Sequence, residues 1–98
     1  MTKMRKKKIN HKVIVFKSKE ELETGLLKYK DPPVGQYFLF ILPHEQVANF
    51  HTINMCFNID IYFIDKNRKL DSYYLNVEPG VKNIKSKNKV KYVIEIPK

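Results

Sequence analysis

The apolar residues of this 98-residue chain occur in short runs of strand length, and that spacing restricts the fold more than any other feature. The runs at 13–16, 37–42 and 59–64 are rich in β-branched and aromatic side chains, which favour extended strands. None approaches the roughly 18–20 apolar residues that a membrane-spanning helix needs. Because a chain of this length supports one core, the pattern predicts a single β-rich domain.

The order of these runs predicts how the strands connect. Residues 37–42 are continuously apolar, which predicts a central strand that is covered on both faces and ends at Pro43. A weaker strand is predicted at 47–52, and 59–64 with 69–77 predicts a hairpin across the turn at 65–68. Near the end, the alternating residues Val90, Tyr92, Ile94 and Ile96 predict a strand that buries this set.

One short helix is predicted between the first two strands. Ser18 and Glu21 have the spacing of a capping box, in which both side chains bond free amides at a helix start. The helix is expected at 19–27, before the prolines of Asp31-Pro-Pro-Val-Gly35. The predicted fold is therefore mainly β, a compact β-sandwich or barrel-like fold of six to seven short strands with one α-helix.

Positive charge is concentrated in two segments that contain no acid, within a formal net charge of +9. Residues 1–10 are predicted to be a flexible basic tail, residues 11–98 the domain, and residues 82–91 a lysine loop. Such segments predict nucleic-acid binding through phosphate contacts, although lysines on loops also keep small domains soluble. The candidate contacts are Lys3, Arg5, Lys6, Lys7, Lys8, Lys82, Lys85, Lys87, Lys89 and Lys91.

The sequence offers few side chains for catalysis or metal binding. His44, His51 and Cys56 come nearest to a ligand or nucleophile cluster, but their spacing matches no known motif. No catalytic residue, metal or cofactor is predicted, and a single cysteine excludes an intrachain disulfide. The basic N-terminus has no apolar signal segment, so a cytoplasmic location is expected.

Several segments resemble the family catalogued as domain of unknown function 192. Tyr37-Phe-Leu-Phe-Ile-Leu-Pro43 is similar to its GMLFxFP, and the stretch at 50–65 is similar to FWMKNTxxPLDIxFID. Gly25-Leu-Leu27 resembles its GLM, and Tyr92-Val-Ile-Glu-Ile-Pro97 resembles its YVLELP. The resemblance implies a compact β fold and no particular activity.

The departures from the family pattern locate a candidate pocket. His51-Thr-Ile-Asn-Met55 stands where the family has WMKNT, and Asn58-Ile-Asp60 where it has PLD. The predicted pocket is framed by Phe50, His51, Asn54 and Asp60, of which Asp60 is either structural or site-lining.

Three functions remain open at this point. The leading hypothesis is a non-enzymatic accessory or binding module for an unknown protein or small molecule. The alternative is a nucleic-acid-binding protein that uses the tail and the 82–91 loop, and a third is a metal or thiol enzyme. Because the family pattern continues with a glycine and a closing segment after the YVLELP-like strand, an open sheet edge is also expected, through which the chain would pair with a second copy.

Overall fold

Five strands and one helix make up the regular structure in residues 12–98, the part of the chain that this computed structural model describes. In chain order they are β1 (Lys12–Phe16), α1 (Lys19–Thr24), β2 (Gln36–Phe50), β3 (Ile59–Ile64), β4 (Leu70–Val77) and β5 (Ile84–Pro97). The mainly β fold with one short helix is confirmed. The predicted tail at 1–10 lies outside the described residues.

The strands form a single sheet in the order β1-β2-β5-β3-β4. β1 runs parallel to β2, and every other neighbouring pair is antiparallel. The strand β5 therefore lies in the centre, between β2 and β3. The last strand is thus not a sheet edge, and the expected pairing with a second copy through an open edge stays a prediction. Among the described residues, the sheet edges are β1 and β4.

There are fewer strands than predicted because the runs at 37–42 and 47–52 belong to one strand, β2. Pro43 lies in a bulge: Ile41 pairs with Tyr92 and Gln46 with Val90, so residues 42–45 face only residue 91. Proline lacks the N–H that a regular ladder requires, and a bulge removes that requirement. Lys91 fills the gap by donating from Nζ to the Leu42 carbonyl at 2.6 Å.

The predicted lysine loop at 82–91 is also wrong, since most of it is the first half of β5. Ile84, Ser86 and Val90 are buried, whereas Lys85, Lys87 and Lys89 are exposed. Alternate side chains of a strand point to opposite faces of the sheet, so this segment can bury one face in the core while its lysines face solvent.

Side-chain hydrogen bonds join β4 to β5, although the two strands are not neighbours in the sheet. The Asp71 carboxylate of β4 accepts the backbone N–H groups of Lys87 and Asn88 at 2.8 and 3.1 Å. Nearby, the Tyr74 hydroxyl donates to the Lys85 carbonyl at 2.8 Å. Partial burial acts to raise the pKa of Asp71, but hydrogen bonds from Asn88, Ser72 and Lys87 hold it below its usual value. The edge strand is thereby fixed to the start of β5.

The core lies on one face of the sheet. Its central side chains are buried aromatic and β-branched residues from four of the five strands: Phe16, Phe38, Phe40, Ile59, Ile61, Phe63, Val90 and Val93. In the second half of β5 the buried residues are Val90, Val93, Glu95 and Pro97. The predicted set of Tyr92, Ile94 and Ile96 is instead half-buried on the opposite face, since the bulge beside residue 91 changes which side chains point inward.

The helix begins as predicted and ends earlier. The Ser18 hydroxyl accepts the Glu21 N–H at 3.1 Å, and the Glu21 carboxylate accepts the Ser18 N–H at 3.0 Å. Backbone N–H groups at Ser18 and Lys17 hold the pKa of Glu21 below its usual value. Gly25, at a φ of 51°, turns the chain out of the helix, and residues 25–28 form a turn. The turn places Leu26 in the core.

Candidate functional site

A cavity of about 260 Å³ lies between the end of α1 and the sheet. Its walls come from α1 and the following turn, from β2 with the loop after it, and from a residue near the end of β5. They comprise Leu22, Glu23, Thr24, Gly25, Leu26, Leu27, Phe40, Asn49, Phe50, His51, Met55 and Glu95. The lining is thus mainly apolar with a few polar groups, which is the usual composition of a small-molecule site.

Glu95 brings a carboxyl group from the centre of the sheet to this cavity. It pairs with Phe38 on β2 and with Ile61 on β3, so its side chain lies on the core face. Only 4% of the residue is exposed. This burial raises the pKa of the carboxyl to about 8, because an ionised carboxylate loses its hydration there. At neutral pH Glu95 is therefore mostly protonated.

The Glu95 carboxyl has no hydrogen bond or ion pair within residues 12–98. Every completely enclosed side-chain nitrogen or oxygen in the same part of the chain has a partner. The oxygens of Glu95 differ because they reach the cavity. Glu95 thus presents an unsatisfied donor and acceptor to whatever enters.

The apolar wall beside Glu95 is built from two phenyl rings and a glycine. The rings of Phe40 and Phe50 meet edge to face, with centroids 5.5 Å apart. A Cβ added at Gly25 would lie 3.6 Å from the Phe40 ring, which is an ordinary van der Waals contact. The φ of 51° is what favours glycine at this position in the wall.

Glu23 and His51 are the other titratable residues in the lining. The Nδ1 atom of His51 accepts the Ile53 N–H at 3.1 Å, which leaves Nε2 as the N–H donor of the neutral ring. Both residues are exposed, in contrast to Glu95. Among the described residues, no lysine or arginine belongs to the lining.

The structure brings together two of the four predicted pocket residues. Phe50 and His51 line the cavity. Asn54 lies on an exposed turn with a φ of 66° and does not line it. Asp60 is buried, but it accepts the Asn76 N–H at 2.8 Å and pairs with Lys98 Nζ at 3.0 Å. Its neighbours Ile59 and Ile61 point into the core, so Asp60 lies on the other face of the sheet.

The remaining candidate residues are dispersed. His44 and Cys56 are exposed, and within residues 12–98 no three His, Cys, Asp or Glu side chains are grouped closely enough to bind a metal. Lys82 lies in the loop before β5, while Lys85, Lys87 and Lys89 are on exposed positions of β5. Lys3, Arg5, Lys6, Lys7 and Lys8 lie outside the described residues.

Sequence reasoning missed Glu95, although one signal was present. The stretch Tyr92-Val-Ile-Glu-Ile-Pro97 places a single acid among apolar residues, and an acid in that setting is either a solvent-facing residue or an expensive buried one. Only the pairing register of β2 and β5 beyond the bulge shows that Glu95 is the buried kind.

Comparison with known proteins gives a family and a fold. A model of the family DUF192, described as uncharacterized ACR, matches residues 1–98. A solved protein of unknown function from Novosphingobium aromaticivorans DSM 12444 is similar, with a TM-score of 0.81 and 18% identity, over 89% of this chain and 63% of that one. The chain thus spans less than two thirds of that protein.

A second solved structure, a putative transcription regulator from Sinorhizobium meliloti 1021, is also similar. Its TM-score is 0.79 and its identity 21%, over 87% of this chain and 67% of that one. At these identities the two likenesses establish the fold alone. Among curated proteins none matches the chain. No helix within residues 12–98 has the length and apolar character needed to cross a membrane.

Proposed function

The chain belongs to the DUF192 family, whose description assigns no activity, and we propose that it is a non-enzymatic module that binds a small molecule in the cavity beside Glu95. The observation that carries this proposal is the Glu95 carboxyl, which is buried, has no partner within residues 12–98 and is open to the cavity. A buried polar group without a partner destabilises a fold. A ligand that bonds the carboxyl would remove that penalty on binding.

The shape and lining of the cavity favour binding over catalysis. Two phenyl rings and several aliphatic side chains form most of the surface, and a single buried polar group is available to orient a ligand. At about 260 Å³ the cavity is at the small end of ligand sites, which suits a compact molecule.

Screening by NMR tests the proposal. A library of compact aromatic and aliphatic compounds, including cationic, neutral and anionic members, is added to ¹⁵N-labelled protein. We expect at least one member to shift the amide resonances of Gly25, Asn49 and His51 in a saturable way. Thr24→Trp should abolish those shifts because it places a large ring at the mouth of the cavity, whereas Thr24→Ser should retain them. Absence of saturable shifts at these residues from every compound would refute the proposal.

A second candidate function is nucleic-acid binding along β5. Lys85, Lys87 and Lys89 alternate on the exposed face of one strand, so their Cα atoms are roughly 7 Å apart in a row. Such a row suits successive phosphates of an extended nucleic-acid strand. One similar solved protein is described as a putative transcription regulator, but at 21% identity this candidate rests on the lysines.

Binding to a fluorescent single-stranded oligonucleotide tests this second candidate. We expect affinity to fall as salt rises, with a smaller salt slope after Lys85, Lys87 and Lys89 are all changed to glutamine. Changing Lys17, Lys19 and Lys28 to glutamine removes the same charge elsewhere and serves as the matched control. Equal slopes in the two triple variants would exclude β5 as the contact surface.

A further inference from the structure

The charges around the cavity are opposite to those of the chain as a whole, and from this contrast we infer that its ligand carries a cationic group, such as a primary ammonium, that pairs with the Glu95 carboxylate. This inference rests on the proposed function. The chain has 19 lysine and arginine residues and a formal net charge of +9. Of the 14 basic residues within residues 12–98, none lines the cavity, whereas Glu95 lies at its floor and Glu23 at its rim.

The acidic side chains of the cavity favour a cationic ligand over a neutral or an anionic one. An anionic ligand would approach two acidic side chains, and no lysine or arginine from the described part of the chain lies in the lining to offset them. A neutral ligand can exchange a hydrogen bond with protonated Glu95 but gains nothing from Glu23. An ammonium group gains from both acids, and in a poorly hydrated site this attraction is stronger than at the surface.

Binding of an ammonium ion requires Glu95 to lose its proton. The O–H bond of the carboxyl breaks, the proton passes to solvent, and the resulting carboxylate accepts N–H hydrogen bonds from the ammonium, which keeps its own protons. The net charge of the filled site is thereby unchanged. Because burial raises the pKa of free Glu95 to about 8, about nine sites in ten are protonated at pH 7. Binding there should release close to one proton per ligand.

The affinity for a cation should therefore rise with pH. The competent, ionised fraction of Glu95 increases roughly fifty-fold between pH 6 and pH 8, and the apparent affinity should follow it. The other titratable groups that face the cavity are Glu23 and His51. The test must therefore separate the effect of His51 from that of Glu95.

Three aromatic probes of similar size and different charge distinguish the ligand classes: benzylammonium, benzyl alcohol and benzoate. Each is titrated into ¹⁵N-labelled protein at pH 7, and the shifts of the Gly25, Asn49 and His51 amides are followed. We expect benzylammonium to bind at least ten-fold more tightly than benzyl alcohol, and benzoate not to bind. If benzyl alcohol or benzoate binds as well or better, the cavity is a ligand site and the cationic class is wrong. If no probe shifts these amides, the inference is overturned, and a negative library screen would overturn the proposed function too.

Variants assign the pH dependence to one group. In Glu95→Gln the affinity for benzylammonium should fall and lose its rise between pH 6 and pH 8, whereas Glu78→Gln, an exposed glutamate away from the cavity, should retain both. His51→Asn preserves an acceptor for the Ile53 N–H and should retain the rise. Loss of the rise in His51→Asn would show that His51 is the titrating group.

Calorimetry in two buffers of different ionisation enthalpy measures proton release on the unaltered protein, and a value near zero would overturn the inference without any variant.

Discussion

Raising the pH from 5 to 8 should destabilise the protein through Glu95. The carboxyl has a pKa of 4.5 when unfolded and about 8 when folded, so between these values the folded chain binds more protons than the unfolded chain. Its contribution to stability is therefore constant below about pH 4.5 and falls as the pH rises towards 8. Each pKa unit is worth about 1.4 kcal/mol, and the loss between pH 5 and pH 8 comes to about 3 to 4 kcal/mol. That is a large part of the total stability of a domain of this size.

Urea denaturation at pH 5, 6, 7 and 8, followed by circular dichroism, measures this effect. In Glu95→Gln the fall in the free energy of unfolding that comes from residue 95 should disappear. The difference in unfolding free energy between the variant and the wild type should therefore change by about 3 to 4 kcal/mol between pH 5 and pH 8. Glu78→Gln, which removes an exposed carboxyl, should decline like the wild type. Asp71 and Glu21 have lowered pKa values and affect stability below this range, with the opposite sign. Parallel pH curves for the wild type and Glu95→Gln would refute the assignment of an elevated pKa.

Three further substitutions test how the fold is held together, each by urea denaturation at pH 6. Asp71→Ala removes the acceptor that fixes β4 to β5 and should cost about 1 to 3 kcal/mol, and a change within 0.3 kcal/mol would mean that this closure contributes little. Thr52→Val keeps the shape of a fully buried residue but removes its bonds to Glu78 and Val81, which should cost about 2 kcal/mol; a neutral result would contradict their importance. Ser18→Ala should cost about 1 kcal/mol by removing the helix cap, an effect that would be absent if the helix were held by packing alone.

Features that depend on neighbouring residues were predictable from the sequence. The capping box at Ser18 involves residues three apart, and the hairpin of β3 and β4 joins two alternating runs across one turn. Both follow from local backbone geometry, so no knowledge of distant partners was needed.

Features that depend on pairing between distant strands were not predictable. The bulge at Pro43 exists because residues 42–45 lie opposite Lys91, which is far away in the sequence. That bulge decides which face of β5 is buried, and so it turns Glu95 inward. From the sequence alone Asp60 and Glu95 look alike, since each is an acid between apolar residues. Only the register shows that Asp60 is sealed by Lys98 and Asn76 while Glu95 opens onto the cavity.

The protonation state of Glu95 is accessible to direct measurement by ¹³C NMR of its side-chain carboxyl, titrated with and without benzylammonium. We expect a midpoint near pH 8 in the free protein and a clearly lower midpoint when the cavity is filled by the cation. A free midpoint near 4.5 would show a hydrated, ordinary carboxylate and would remove the physical basis for a ligand site at this position.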